Sequence, residues 1–157
     1  MTKLINFIDL TLSEKVIVLK MRNHPSIKQV MHNTKNISLE EHLSFIESLK
    51  NNPTKKYFLV TENEKYLGVI DFINITNTEA ELGIYTNPEL KGYGKTLLQL
   101  ICTYAFKSLN IDKLHAEVYT DNPKAIKLYK EFNFKEIKIE MIENKEILYM
   151  ELLNENR

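Results

Sequence analysis

Residues 91–96 read KGYGKT, with two glycines two apart, Lys91 and Lys95 beside them and an apolar run at helical spacing behind. Such a loop gathers backbone amides at the positive end of a helix, where a phosphate binds. Three diphosphate loops share this outline. A nucleotide-hydrolysing loop needs a further glycine at position 89, which is a glutamate of the wrong charge. A dinucleotide fingerprint needs a glycine where Leu97 stands. What remains is a loop offering its amides to a diphosphate that approaches from outside, such as that of coenzyme A, or a plain turn that needs positive φ at a glycine.

A second constellation lies downstream in YTDNPKAIKLYKEFNF. Asn122 is suited to cap a helix whose first position is Pro123. Ala125 and Tyr129, four apart, share one face, so a small residue lets an extended ligand pass close and a phenol follows one turn later. Three carboxylates join them. Glu79 and Glu81 share a strand face with Tyr85, and Glu117 shares one with His115 and Tyr119. Each is either a base or a solvated strand residue, and a water chain can also take the proton of an amine. His24, His32, His42 and His115 lack metal-ligand spacing, so no metal is expected.

The elements that must position these groups follow from periodicity. A strand is expected over 4–8 and a helix over 13–22, stopped by Pro25. A second helix over 38–49 opens with the capping-box pair Ser38 and Glu41. KKYFLVTE and YLGVIDFINI form an antiparallel hairpin around a polar turn, and ELGIYT adds a strand ended by Asn87-Pro88. Leu97, Leu98, Ile101, Cys102, Ala105 and Leu109 mark one face of a helix. A strand over 113–119, a helix over 123–132 and two strands joined near Asn144-Lys145 complete the order. A mixed α/β fold follows, with helices on the faces of a sheet.

A chain of 157 residues fits one domain, 1–157, with no linker. Its 21 Lys and Arg against 21 Asp and Glu leave no broad basic field, which argues against a nucleic-acid partner. No apolar run reaches the length of a membrane span, and Asp9 interrupts the N-terminus. The single Cys102 reads as a buried small hydrophobe in a soluble, unexported protein, consistent with a reducing cytoplasm.

Over essentially its whole length the chain resembles the GCN5-related N-acetyltransferases (GNAT). The family's loop motif, Arg or Gln followed by xxGxG, corresponds to Glu89-Leu90-Lys91-Gly92-Tyr93-Gly94, with the first position departing. Its motif NxxAxxxYxxxGF corresponds to Asn122, Ala125, Tyr129 and Phe134, with Asn133 in place of glycine; asparagine tolerates left-handed angles. The resemblance implies the GNAT fold, a central, mostly antiparallel seven-stranded sheet flanked by four helices, and acetyl-CoA as co-substrate. It further implies that Ile84, Tyr85 and Thr86 contact the thioester arm and that Leu90, Lys91, Gly92, Tyr93, Gly94 and Lys95 cradle the pyrophosphate. Asn122 and Ala125 would border the cofactor, and Tyr129 would protonate the departing sulfur. Glu117 occupies the place of the base in peptide-directed members.

The acceptor side is expected from the first two helices and their loop, where Arg22 and His42 are candidate donors, with Glu81 beside the amine. The segments MRNHPSIKQVM, ISLEEHLSFI, LGVIDFINIT and GIYTNPELKGYGKTLL are similar to those of nucleotide-sugar N-acetyltransferases of the pseudaminic acid pathway. That similarity implies acetylation of the 4-amino group of a UDP-linked 4-amino-4,6-dideoxy-N-acetyl-β-L-altrosamine, used in flagellin glycosylation. Arg22 and His42 would then hold the diphosphate, and Tyr85 or residues 74–77 the sugar. A ribosomal-protein N-terminus, a polyamine or aminoglycoside, and a non-catalytic acetyl-CoA-binding role stay open, as does a homodimer.

Overall fold

The computed structural model describes residues 1–155. Seven strands form one sheet in the order β1-β2-β3-β4-β5-β7-β6. They are β1 (Thr2–Asn6), β2 (Lys56–Glu62), β3 (Lys65–Ile73), β4 (Glu79–Thr86), β5 (Lys113–Tyr119), β6 (Lys135–Ile142) and β7 (Lys145–Leu153). Every pairing is antiparallel except β4 with β5. The tight turns between β2 and β3 and between β6 and β7 hold Asn63, Glu64, Glu143 and Asn144 at positive φ, the mirror-image turn geometry that matches strand twist.

The helices are α1 (Leu12–Asn23), α2 (Pro25–Lys28), α3 (Leu39–Ser48), α4 (Gly94–Thr103) and α5 (Pro123–Glu131). The helix expected over 13–22 extends by one residue at each end, and Pro25, which cannot continue it, starts the four-residue α2 instead. Thr11 with Glu14, and Ser38 with Glu41, close complete capping boxes on α1 and α3. A π-turn over Tyr104–Ser108 continues α4, closed by the Leu109 N–H donating to the Tyr104 carbonyl at 2.9 Å.

Two apolar layers sandwich the sheet. On one side Leu97, Leu98 and Ile101 of α4 and Tyr129 of α5 pack on Ile70, Phe72, Leu114 and Ala116. On the other, Val18 and Met21 of α1 and Ile46 of α3 pack on Leu59 and Val69. β3 is buried on both faces, so it reads as a continuous apolar run rather than an alternating one. Asp71 is the one carboxylate inside that run.

Candidate active site

The site begins where β4 and β5 part. Their parallel pairing covers three residue pairs, from Glu79 with Lys113 to Glu81 with His115. Beyond it, Leu82–Thr86 pair only with β3, and Ala116–Tyr119 only with β7. Two strand edges therefore face each other without sharing hydrogen bonds, and backbone groups in such a position need other partners. An extended ligand carrying amides of its own fits that requirement. Ile84, Tyr85 and Thr86 lie on the open edge of β4.

The loop after β4 is pinned by Asn87, whose side chain donates to the Tyr66 carbonyl at 2.8 Å and accepts from the Glu89 N–H at 3.0 Å. Leu90 donates its own N–H to the Asn87 carbonyl at 3.0 Å, so its amide is already used and its side chain packs on the core. Gly92 has φ +87°, a backbone conformation that a side chain resists. Helix α4 then starts at Gly94 with no side-chain cap at Tyr93, whereas Thr11, His24, Ser38 and Asn122 cap the other four. The first-turn amides of α4 thus face outward without a capping acceptor, next to Lys91. Lys95 is drawn aside to Glu131 of α5 at 3.3 Å. The open strand edge and, past a loop whose amides at Asn87, Glu89 and Leu90 are already used, the left-handed Gly92 and the uncapped helix end offer two separate groups of backbone donors, which fit the pantetheine arm and the diphosphate of coenzyme A.

Asn122 accepts from the Ala125 N–H at 3.3 Å, with Pro123 at the first helical position. Asn133 terminates α5 with φ +71°, the conformation a glycine would otherwise supply. Tyr129 is 5% exposed, its ring 5.3 Å from that of Phe134. Burial, and then the charge of Asp71, push its phenol well above the usual range, so Oη keeps its proton across ordinary pH.

A cavity of about 420 Å³ opens on the α1–α3 side of the sheet. Glu81, Ile84, Tyr85 and Glu117 reach it from the sheet, Asn122, Ala125 and Tyr129 from α5, and Arg22 and His42 from the helices above. Thr86 and Leu90–Lys95 lie outside it, along the end of β4 and the loop that follows. Glu79 also lies outside and pairs with His115 at 2.9 Å.

Charge in the cavity is unevenly compensated. The carboxyls of Glu81 and Glu117 lie against each other and share a hydrogen bond. Burial, then that bond and the like charge of Glu117, push Glu81 up to about 8, against a weaker opposing bond from Asn74. At neutral pH Glu81 therefore keeps a proton, which it shares with the neighbouring Glu117 carboxyl. Arg22, 7% exposed, donates Nη2 to the Asn33 carbonyl at 2.6 Å, while its Nη1 is buried with no partner. An unmet donor of this kind costs about 1–3 kcal/mol, and an oxygen entering the cavity would recover it. His42 is buried, and its Nε2 meets the Lys15 carbonyl at 2.9 Å, which ties α3 to α1. Burial lowers its pKa, favouring the neutral ring.

Several lining groups escaped the sequence reading. Asp71 is 7% exposed, and burial pushes its carboxyl up to about 7. It pairs in register with Gly83, where a Cβ would run into its carboxyl oxygens. A lone acid in VIDFI beside a glycine in the next strand is the signal that could have found it. Phe45 stands edge-on to Tyr57 at 5.0 Å and forms an aromatic wall, and His32 approaches Glu117 from the loop after α2.

Comparison with known proteins identifies the family. The profile of the Acetyltransferase (GNAT) domain matches residues 7–135. The chain is 49% identical over 134 residues, 85% of each protein, to the acetyltransferase PseH of Campylobacter jejuni subsp. jejuni serotype O:2. It superposes on the crystal structure of Campylobacter jejuni N-acetyltransferase PseH in complex with acetyl coenzyme A with a TM-score of 0.82 and 40% identity, covering 98% of this chain and 99% of that one. The fold is also that of spermidine N-acetyltransferase from Vibrio cholerae in complex with CoA and spermine, at a TM-score of 0.87, 23% identity and coverage of 97% and 95%. The chain belongs to the GNAT acetyltransferases and is an acyltransferase.

Proposed function

We propose that this acetyltransferase transfers acetyl from acetyl-CoA to the 4-amino group of a UDP-linked 4-amino-4,6-dideoxy-N-acetyl-β-L-altrosamine, a step of pseudaminic acid biosynthesis for flagellin glycosylation. The observation that carries it is the junction of cavity and open strand edge, where Glu117 and Tyr129 line one space from opposite sides of the sheet. Likeness to PseH across most of both chains supports the acceptor. The residues 1–157 act as one domain on this reading, supported by one continuous sheet.

When bound, acetyl-CoA supplies an activated acetyl group. The chain's residues do the rest. Ile84, Tyr85 and Thr86 present strand-edge amides to the thioester arm, and Lys91, Gly92, Tyr93, Gly94 and Lys95 present loop and helix amides to the diphosphate. Leu90 fixes the start of that loop, and Asn122 and Ala125 border the arm. Glu117 takes the amine proton, with Glu81 holding it in place by a hydrogen bond. Tyr129 keeps a proton at Oη for the departing sulfur. Arg22, through Nη1, and His42, through the wall it forms, receive the diphosphate of the nucleotide sugar. Tyr85 bounds the sugar pocket.

A polyamine acceptor is the second reading. Three carboxyls, Asp71, Glu81 and Glu117, favour it, as does 31% identity over 92 residues to the Vibrio cholerae spermidine N(1)-acetyltransferase, 56% of this chain and 53% of that protein. The buried Arg22 opposes a cation in the same cavity. Thiol release from acetyl-CoA, followed with a UDP-linked 4-amino sugar, spermidine and an N-terminal peptide, separates them. Turnover with the nucleotide sugar alone is expected; turnover with spermidine alone would overturn the acceptor assignment.

A cytoplasmic setting belongs to the same reading and is supported by the free thiol of Cys102, which burial pushes up to about 11. Among the described residues no helix is long and apolar enough to cross a membrane. A homodimer through β6 is also part of it: Ile137, Ile139 and Met141 are exposed along this sheet-edge strand.

A further inference from the structure

We propose that His32 carries the proton taken up by Glu117 out to bulk water, as a positioning and relay residue for deprotonation of the acceptor amine. The inference rests on reading Glu117 as the base. After each turnover Glu117 must lose the proton it has taken, from a position only 22% exposed beneath the α1–α3 layer. Glu81, its hydrogen-bonded neighbour, already keeps a proton and cannot receive another. Tyr149 lies opposite Glu117 on β7, with Lys138 over its ring, but the phenol is no base and Lys138 is paired with Glu140, whereas His32 brings a ring nitrogen to the Glu117 carboxyl. Nε2 lies 3.6 Å from Glu117 Oε1, a gap that a sub-ångström ring movement or one bridging water spans. The His32 side chain is 60% exposed, so a proton that reaches the ring has reached solvent.

The orientation of the ring suits the transfer. Nδ1 is 3.2 Å from Tyr119 Oη, and the two rings stand edge-on with centroids 5.5 Å apart. When Nδ1–H donates to Tyr119, the Nε2 lone pair faces Glu117 and can accept. The step balances: the ammonium loses a proton to the Glu117 carboxylate, the carboxylic proton passes from Oε1 to Nε2, and the imidazolium releases one proton to water or buffer. Both side chains return to their starting charge. The groups facing this relay are Glu117 and Tyr119 of β5, Glu81 of β4, Tyr149 of β7, and Lys138 of β6, which is paired with Glu140. Lys145 of β7 lies over the Tyr119 ring at 4.8 Å, and Asp121 and Glu143 act on Tyr119 from the flanking turns. Arg22 is held by the carbonyl of the adjacent Asn33.

His32→Gln keeps a polar contact with Tyr119 but carries no proton. With the preferred amine in dilute buffer its turnover is expected to fall about tenfold, with the acceptor KM within about twofold. Added imidazole should restore turnover, and calorimetric acceptor binding without acetyl-CoA should match the parent. Parent-like turnover in dilute buffer, or a loss that imidazole does not restore, overturns the relay. Glu117→Gln run in parallel separates the two failures. Its inactivity beside an unaffected His32→Gln removes the relay alone, while full activity in Glu117→Gln removes the base and the relay together.

Discussion

Tyr129 and Asp71 approach the same space from opposite faces of the sheet, and burial raises both pKa values, in each case favouring the neutral, protonated form. A phenol so shifted remains a proton donor. Tyr129→Phe removes only that proton and one oxygen, so turnover should fall more than about tenfold while calorimetric affinity for coenzyme A stays within twofold. Asp71 is different, because its folded value of about 7 lies above that of an unfolded aspartate. The native state binds more protons between about pH 4 and 7, so stability is greatest below that window and falls as pH rises through it. The penalty above pH 7 is on the order of a few kcal/mol, and Asp71→Asn should shrink the drop in urea midpoint between pH 5 and 8. An unchanged drop would place the charge elsewhere. These two residues also mark what the sequence could reveal. Tyr129 stands in a motif with fixed spacing from Asn122 and Ala125, whereas Asp71 acquires meaning only when β3 and β4 lie side by side and Gly83 makes room. The buried Nη1 of Arg22 was equally hidden, because periodicity alone does not say how deep a helix-end arginine sits.

At the scale of elements, α4 and the open edge of β4 divide the labour of holding one long ligand. A Cβ built on Gly94 would lie 3.4 Å from Leu128 Cδ2, an ordinary contact, so the fold tolerates a side chain there. Gly94→Glu should therefore leave the unfolding free energy from urea melts within about 1 kcal/mol of the parent while abolishing coenzyme A binding, since a carboxylate would stand before the helix amides. Retained binding measured by calorimetry would move the diphosphate away from α4. The order of strands and helices was legible from hydrophobic periodicity, capping boxes and turn residues, all of which act over a few positions. The four-residue α2 and the length over which β4 pairs with β5 were not. The first is a local consequence of a proline after a helix, and the second depends on contacts between segments more than thirty residues apart.

At the scale of the molecule, the two halves of the sheet, β1–β4 and β5–β7, are joined by only three residue pairs between β4 and β5. A ligand bridging the gap binds the native state alone and so stabilises it. At a hundredfold excess over Kd the gain is about 2.7 kcal/mol, which for a chain of this size raises Tm by about 5–10 °C. Coenzyme A should produce that shift in a thermal melt, and Gly94→Glu should abolish it. The His32→Gln variant should keep it, because proton removal does not touch this arm. The short pairing also makes the sheet a tuning fork, with β1–β4 as one prong, β5–β7 as the other and Glu79–Glu81 as the stem. Vibrating prongs swap their edge amide hydrogens for solvent deuterium quickly; damped by a molecule wedged between them, those of Leu82–Thr86 would swap slowly, while the stem exchanges at the same pace either way.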